Sequence, residues 1–409
     1  MSLPTTPAPS PAGAPATATT GVTLPKGFRA AGGRAGLKPS GLDDLALVVN
    51  DGPHPAAAAV FTCNQIVAAP VTLSREAVAA GEVSAVVINS GNANACTGPQ
   101  GDADARTVQL SAAERLGRKP GEVAVCSTGI IGEPMPIHLV LDGLGPVAAA
   151  LDGTPSAAEA AARAIMTTDT VPKQAGATVR SAAGGEFSLG AMGKGAGMLA
   201  PSLATMLAVV TTDALVEQNE LDAALRAATA QSFERVDVDG ATSTNDTVLV
   251  MASGASGVRP HPEEFAAALK GVCADLAGQM QLDAEGATKR VTIRVTGAAT
   301  TEEAVAAART IGRDTLVKCA LFGSDPNWGR VLAAVGMAPV SLDPTGVEVS
   351  FNGHPVCRSS AAVPGAREVD LTARDIVVAV DLGVGEAAGE VHTTDLSLGY
   401  VEFNSAYTT

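Results

Sequence analysis

Residues 194–207 read KGAGMLAPSLATML, and two of them carry side chains suited to chemistry. Lys194 is a cation set among Gly193, Gly195 and Gly197, residues that permit close backbone approach and positive φ. Thr205 heads an apolar run, where a β-branched residue needs no explanation beyond strand preference. A sharper chemistry opens if the Ala204–Thr205 bond is cut. Thr205 then carries a free α-amine, of ordinary pKa about 7.7–8.0, beside its own hydroxyl. A hydroxyl is a weak nucleophile near neutral pH until an adjacent base takes its proton, and an amine titrating close to the working pH suits that task. One residue then supplies nucleophile and base, and no histidine partner is required.

A second candidate is Cys126-Ser127-Thr128-Gly129, which follows the run VAVCS at 123–127 and holds all three nucleophile types. It lacks the G-x-S-x-G elbow. It reads either as a plain strand-end loop or as a Thr-Gly step that aims a hydroxyl and a backbone N–H at one point, the geometry of an oxyanion hole. Gly193-Lys194 is not a phosphate loop, because Ser188 stands where the first glycine is required and Gly195 where Ser or Thr is. The six cysteines include no C-x-x-C pair and the five histidines no H-x-x-x-H pair. That argues against a protein-built metal site and reads as the reduced thiols of a cytoplasmic chain.

The elements that must position these residues are legible as strand-sized apolar runs: LALVVN (45–50), AVVIN (85–89), VAVCS (123–127), TMLAVVTT (205–212), TVLVMA (247–252), RVTIRV (290–295), VEVSF (347–351) and IVVAV (376–380). Helical spacing appears over 216–232 and 261–281. Ser156–Glu159 and Thr300–Glu303 read as capping boxes opening two more helices. The alternation predicts an α/β protein of layered sheets and helices, with a smaller C-terminal α+β module from about 285 to 409. Aromatics make up only 3% of the 409 residues, so Ala, Val, Leu and Ile must build the core. The net charge is −15 with no Lys/Arg cluster, which argues against a nucleic-acid partner. No apolar run is long enough to span a membrane. Residues 1–21 lack the basic and apolar regions of a signal peptide and read as a disordered Pro/Ala/Thr-rich tail.

A set of ordered blocks resembles a known family: PKGFRAAG (25–32), FTCNQIVAAPV (61–71), NSGNANACTG (89–98), STGIIGEPMP (127–136), IMTTDTVPK (165–173), KGAGMLAPSLATML (194–207), TSTNDT (242–247), EGATK (285–289), DPNWGR (325–330) and the terminal EFNSAYTT. They resemble the ornithine acetyltransferases of arginine biosynthesis, which are glutamate N-acetyltransferases often with N-acetylglutamate synthase activity as well. The resemblance covers nearly the whole chain. It implies the self-processing, N-terminal-nucleophile-like fold, with cleavage between Ala204 and Thr205 into an α chain (22–204) and a β chain (205–409). It implies that Thr205 takes acetyl from N-acetylornithine and passes it to glutamate, a ping-pong sequence. Thr128 and Gly129 match the oxyanion pair. Thr168, Lys194, Thr205, Glu285, Asn404 and Thr409 match the substrate contacts, with Lys194 suited to an α-carboxylate and Glu285 to an ammonium group. No cofactor is implied, acetyl-CoA stays open as a second donor, and the resemblance suggests an α2β2 or higher assembly. The chain departs from the family pattern at Asp239-Gly240-Ala241, where a second carboxylate is usual, and DPNWGR carries no assigned role. Two other readings compete: a self-processing amidohydrolase or aminopeptidase that passes the acyl group to water, and a non-enzymatic acidic scaffold that stays one intact chain.

Overall fold

The computed structural model describes residues 21–81, 83–199 and 206–406. Thr205 and Thr409, and all of the expected tail but Gly21, lie outside the described residues. Gly21 is already tied to the fold, its amide donating to the Ala175 carbonyl at 3.1 Å.

Three mixed sheets organise the chain. The first comprises Phe28–Gly33 (β1), Leu45–Asn50 (β2), Ala85–Asn92 (β4) and Val123–Ile130 (β5), in that order. The second has the order β3-β9-β8-β7-β6, from Ala56–Phe61 (β3), Thr247–Ala252 (β9), Leu207–Thr212 (β8), Glu186–Lys194 (β7) and Lys173–Arg180 (β6). Each contains one parallel pair, β4–β5 and β8–β9 respectively.

The two sheets pack face to face. Phe28, Ala30, Val48 and Ile88 of the first meet Ala57, Met192, Val209 and Leu249 of the second in one buried cluster. The outer face of the first sheet is covered by Gly98–Leu116 (α2) and Ile137–Ala149 (α3), and Ala69–Ala79 (α1) packs on β5. Pro155–Ala164 (α4) packs on β1. The outer face of the second sheet carries Gln218–Ala230 (α5) and Pro262–Leu282 (α6). This four-layer stack explains why LALVVN and TVLVMA hold unbroken apolar runs, at 45–49 and 248–252, rather than apolar residues at alternate positions: both strands are buried on both faces.

The third sheet follows α6. Arg290–Ala298 (β10), Glu348–Phe351 (β11), His354–Arg358 (β12), Ala361–Ala362 (β13), Asp375–Asp381 (β14) and Ala387–Thr394 (β15) run in the order β13-β12-β11-β14-β10-β15. Thr301–Arg313 (α7), Thr315–Phe322 (α8) and Trp328–Val335 (α9) cover it with a separate core. Leu398–Ala406 (α10) then returns to the segment that follows α6, where Asn404 meets Glu285.

Local chemistry sets the helix ends. The Thr300 hydroxyl accepts from the Glu303 amide at 3.2 Å, as a cap should, but the Glu303 carboxylate turns to the Ser341 amide instead of back to its own N-terminus. The box expected at Ser156–Glu159 does not form: α4 starts at Pro155 and Glu159 pairs with Arg163 one turn on. DPNWGR resolves into a cap, with the Asn327 side chain accepting from the Arg330 amide at the start of α9 while Trp328 packs against the third core.

Candidate active site

The site lies at one end of the paired sheets, where β5 and β7 finish. Parallel pairing carries β5 alongside β4 until a bulge at Gly91–Asn92. Gly129 sits in that bulge at φ +135°, and a Cβ there would stand 2.3 Å from the Gly91 carbonyl carbon. Only glycine fits both the dihedral and the space. The neighbouring nucleophile types are disposed of locally: burial pushes the Cys126 thiol up to about 12, and the Ser127 hydroxyl donates to Asn89 Oδ1 at 2.6 Å. Thr128, 1% exposed, is left with its hydroxyl toward the site.

Lys194 is the last residue of β7, paired opposite Leu207 at the start of β8. Although glycines surround it in sequence, it is a buried strand-end cation, 2% exposed. Its Nζ lies 3.4 Å from Thr128 Oγ1. The connection beyond it is tied on three sides. The Gly195 amide donates to Asp169 Oδ1 at 2.8 Å, the Ala196 carbonyl accepts from the Glu285 amide at 2.9 Å, and the Met198 amide donates to Asp239 Oδ2 at 2.7 Å. Positive φ falls on Met198 (+55°) and not on Gly193, Gly195 or Gly197. These glycines serve close approach instead: a Cβ on Gly197 would stand 2.3 Å from the Glu285 carboxylate, and one on Gly193 2.7 Å from Met280 Cε. A β-branched or bulky residue at 197 would therefore displace Glu285.

Thr168 sits in the turn after α4, which Asp169 fixes by accepting from the Thr167 amide at 3.0 Å. Asp169 in turn holds Lys173 Nζ at 2.6 Å, and the same ammonium reaches Asp283 Oδ2 at 2.6 Å beyond the end of α6. Glu285 follows on that segment, and Asn404 of α10 donates to its Oε2 at 3.2 Å. Gly286, at φ +62°, lets α10 come this close, since a Cβ would sit 2.2 Å from the Tyr400 amide nitrogen.

Thr128, Gly129, Thr168, Lys194, Glu285 and Asn404 thus line one cavity of about 110 Å³. Six residues expected from sequence and separated by up to 276 positions (404 − 128) share it. Sequence reasoning assigned no role to Ser243 and Asn245, which also line it. Asn245 Nδ2 donates to the Ala93 and Ser127 carbonyls at 2.6 and 2.9 Å, and so braces the end of β5. The signal for them was the polar run TSTNDT ahead of the apolar run VLVMA. Ala241, where a carboxylate is usual, lies exposed just after the bend at 238–240 and is not among the lining residues.

The charges around the cavity are buried and opposed. Burial pulls the Lys194 ammonium below the ordinary lysine range; Asp169, Glu285 and Asp246 draw it back and Lys173 adds to the depression. Burial alone would raise Asp169, but Lys194 and Lys173 outweigh it and hold the carboxylate below its usual range. A cation and a carboxylate facing one small cavity suit a zwitterionic ligand. Among the described residues, no cluster of three or more His, Cys, Asp or Glu side chains is arranged to hold a metal ion, and no helix is long and apolar enough to cross a membrane.

The model of the ArgJ family matches residues 29–409. The chain belongs to the ArgJ family. It is 56% identical over 392 residues to the arginine biosynthesis bifunctional protein ArgJ of Mycolicibacterium paratuberculosis, covering 95% of this chain and 96% of that one. The same-named protein of Streptomyces coelicolor is 50% identical, with 94% and 99% covered. Among solved structures, ornithine acetyltransferase from Mycobacterium tuberculosis, complexed with ornithine, matches 46% of this chain and 97% of its own at 49% identity and a TM-score of 0.43. Family membership agrees with the resemblance carried by the sequence blocks.

Proposed function

We propose that the chain is a self-cleaving ornithine acetyltransferase that moves acetyl from N-acetylornithine to glutamate through an acetyl ester on Thr205, and that it also makes N-acetylglutamate from acetyl-CoA. The observation that carries this reading is the convergence of Thr128, Gly129, Lys194 and Glu285 on one cavity, in a chain of the ArgJ family.

Self-cleavage comes first. The Thr205 hydroxyl adds to the Ala204 carbonyl, the amide nitrogen leaves with the proton, and water hydrolyses the resulting ester. The products are an α chain ending at Ala204 and a β chain beginning with a free amine. The cut falls in the connection between β7 and β8, whose antiparallel pairing runs from Leu189–Thr212 to Lys194–Leu207. The second sheet is then built from both chains, so they stay bound after cleavage.

In turnover the Thr205 amine takes the hydroxyl proton as oxygen attacks the acetyl carbonyl. The developing oxyanion is met by the Thr128 hydroxyl and the Gly129 N–H. Lys194 donates to Thr128 Oγ1, so the Thr128 hydroxyl hydrogen is turned away from Lys194 and available to the oxyanion. Collapse expels ornithine, which leaves with the proton. Glutamate enters the same cavity and reverses the steps. Lys194 holds the α-carboxylate of either amino acid, Glu285 and Asn404 receive the ammonium end of ornithine, and Thr168 and Thr409 complete the contacts. The active unit is an αβ pair, assembled as α2β2 or higher, in the cytoplasm.

The test is an acetyl-exchange assay without acetyl-CoA. N-acetylornithine plus glutamate is expected to give ornithine and N-acetylglutamate. Release of free acetate in place of N-acetylglutamate would favour the amidohydrolase alternative.

A further inference from the structure

Asp246 stands just outside the cavity and is fully buried. Its Oδ1 accepts from the Met206 amide at 2.9 Å, and the next residue, Thr247, donates its amide to the Met206 carbonyl at 3.1 Å. Met206 is thus gripped on both sides by the consecutive residues Asp246 and Thr247, where the chain enters β9. The other carboxyl oxygen, Oδ2, is equally buried and has no hydrogen-bond partner among the described residues. Leaving such a group unsatisfied costs about 1–3 kcal/mol, more when it is charged, and a persistent exception calls for a functional explanation. Burial pushes this carboxyl well above the ordinary range and Cys63 adds to the rise, while the Met206 amide, Lys194 and the Ser243 amide draw it back.

The nitrogen held by Oδ1 belongs to the peptide bond whose carbonyl side is Thr205. Nitrogens of consecutive residues are close enough for one anionic group to bridge, as in backbone nests. We propose that Asp246 is a positioning residue for the nucleophile: its Oδ2 accepts a hydrogen bond from the α-amine freed on Thr205 and so turns the amine lone pair toward the Thr205 hydroxyl. This rests on the reading of Thr205 as nucleophile. In the uncut chain that nitrogen is an amide, with one hydrogen and a lone pair delocalised into the Ala204 carbonyl. After cleavage the neutral amine has two hydrogens and a localised lone pair. One hydrogen can satisfy Oδ2 while the lone pair stays available as base.

The test is Asp246→Asn in the full chain, with kinetics normalised to cleaved enzyme. The carboxamide oxygen keeps the Met206 bond, but its NH2 now faces the Thr205 nitrogen and engages the lone pair. The expected result is a wild-type melting temperature, a KM for N-acetylornithine within about threefold, and a kcat lowered about 10²-fold, the scale of a mispositioned general base. Wild-type kcat, or a loss confined to KM, overturns the proposal. Activity in Thr205→Ala would overturn the nucleophile reading itself, so the two failures are distinct. If Asp246→Asn does not fold, a crystal structure of the unmutated, cleaved enzyme decides: Thr205 N to Asp246 Oδ2 within about 3.2 Å is expected, and a separation beyond about 4 Å overturns it.

Discussion

Lys194 Nζ approaches Thr128 Oγ1 to 3.4 Å, across the gap between the ends of β7 and β5. The contact joins the group proposed to hold the substrate carboxylate to the group proposed to hold the oxyanion. An ammonium has donors only, so the hydroxyl accepts from it and its own hydrogen points elsewhere. Thr128→Val, which keeps the shape and removes the hydroxyl, should lower kcat about 10²–10³-fold with little change in KM, the usual cost of one oxyanion donor. Lys194→Met should raise KM for both amino acids and lower kcat as well, because it removes the carboxylate partner and frees the Thr128 hydroxyl to rotate. Steady-state kinetics with N-acetylornithine and glutamate varied separately check both.

Gly129→Ala should destabilise more than a surface change. The new Cβ meets the Gly91 carbonyl carbon at 2.3 Å and the Asn92 nitrogen at 2.5 Å, at a φ of +135°. Strain of this kind costs about 1–3 kcal/mol from the dihedral alone, and the backbone clash adds to it. Urea unfolding should give a lower midpoint, and activity should fall even in the folded fraction because the oxyanion N–H is displaced.

Lys173 is a structural counterpart to Lys194. It is fully buried and bridges Asp169 and Asp283 at 2.6 Å each, linking the Thr168 turn to the end of α6. Removing one partner of a buried ion pair strands the others without compensation and costs about 3–5 kcal/mol. Lys173→Met should lose stability on that scale in denaturant unfolding. The double change Asp169→Asn with Asp283→Asn should recover part of what Lys173→Met loses.

Asp169 also predicts a pH dependence. Lys194 and Lys173 overcome its burial and depress its folded pKa, so its contribution to stability is present above the ordinary carboxylate pKa of about 3.9 and is lost as pH falls through the lower folded value. The stability difference between wild type and Asp169→Asn should therefore be widest near neutrality and shrink below about pH 4. Unfolding free energies measured across that range test the sign.

Much of the layered fold was legible because buried strands are continuously apolar. TVLVMA at 247–252 matches β9 residue for residue, and LALVVN matches β2. The misses have physical causes. β3, Ala56–Phe61, is four alanines long before it turns bulky, and helix and strand do not differ in such a run. β6 carries its apolar residues weakly because part of it is exposed. The glycines flanking Lys194 permit positive φ in principle, yet they accommodate Glu285 and Met280 rather than turns. The grouping of Thr168, Glu285 and Asn404 could not be read from spacing at all: a turn, the end of α6 and α10 bring them together across long stretches of chain. Only the resemblance of whole blocks pointed to them. Thr205 and Thr409 lie outside the described residues, and their roles stand as proposals.

The measurement that tests the account most directly is mass spectrometry of the purified protein combined with N-terminal sequencing of its chains. The account predicts two chains, one beginning Thr205-Met206-Leu207-Ala208, which co-purify until denatured. Incubation with N-acetylornithine alone should add the mass of one acetyl group to that chain at Thr205, and glutamate should remove it as N-acetylglutamate. A single uncut chain with full exchange activity, or an acetyl group trapped on any other residue, would contradict it.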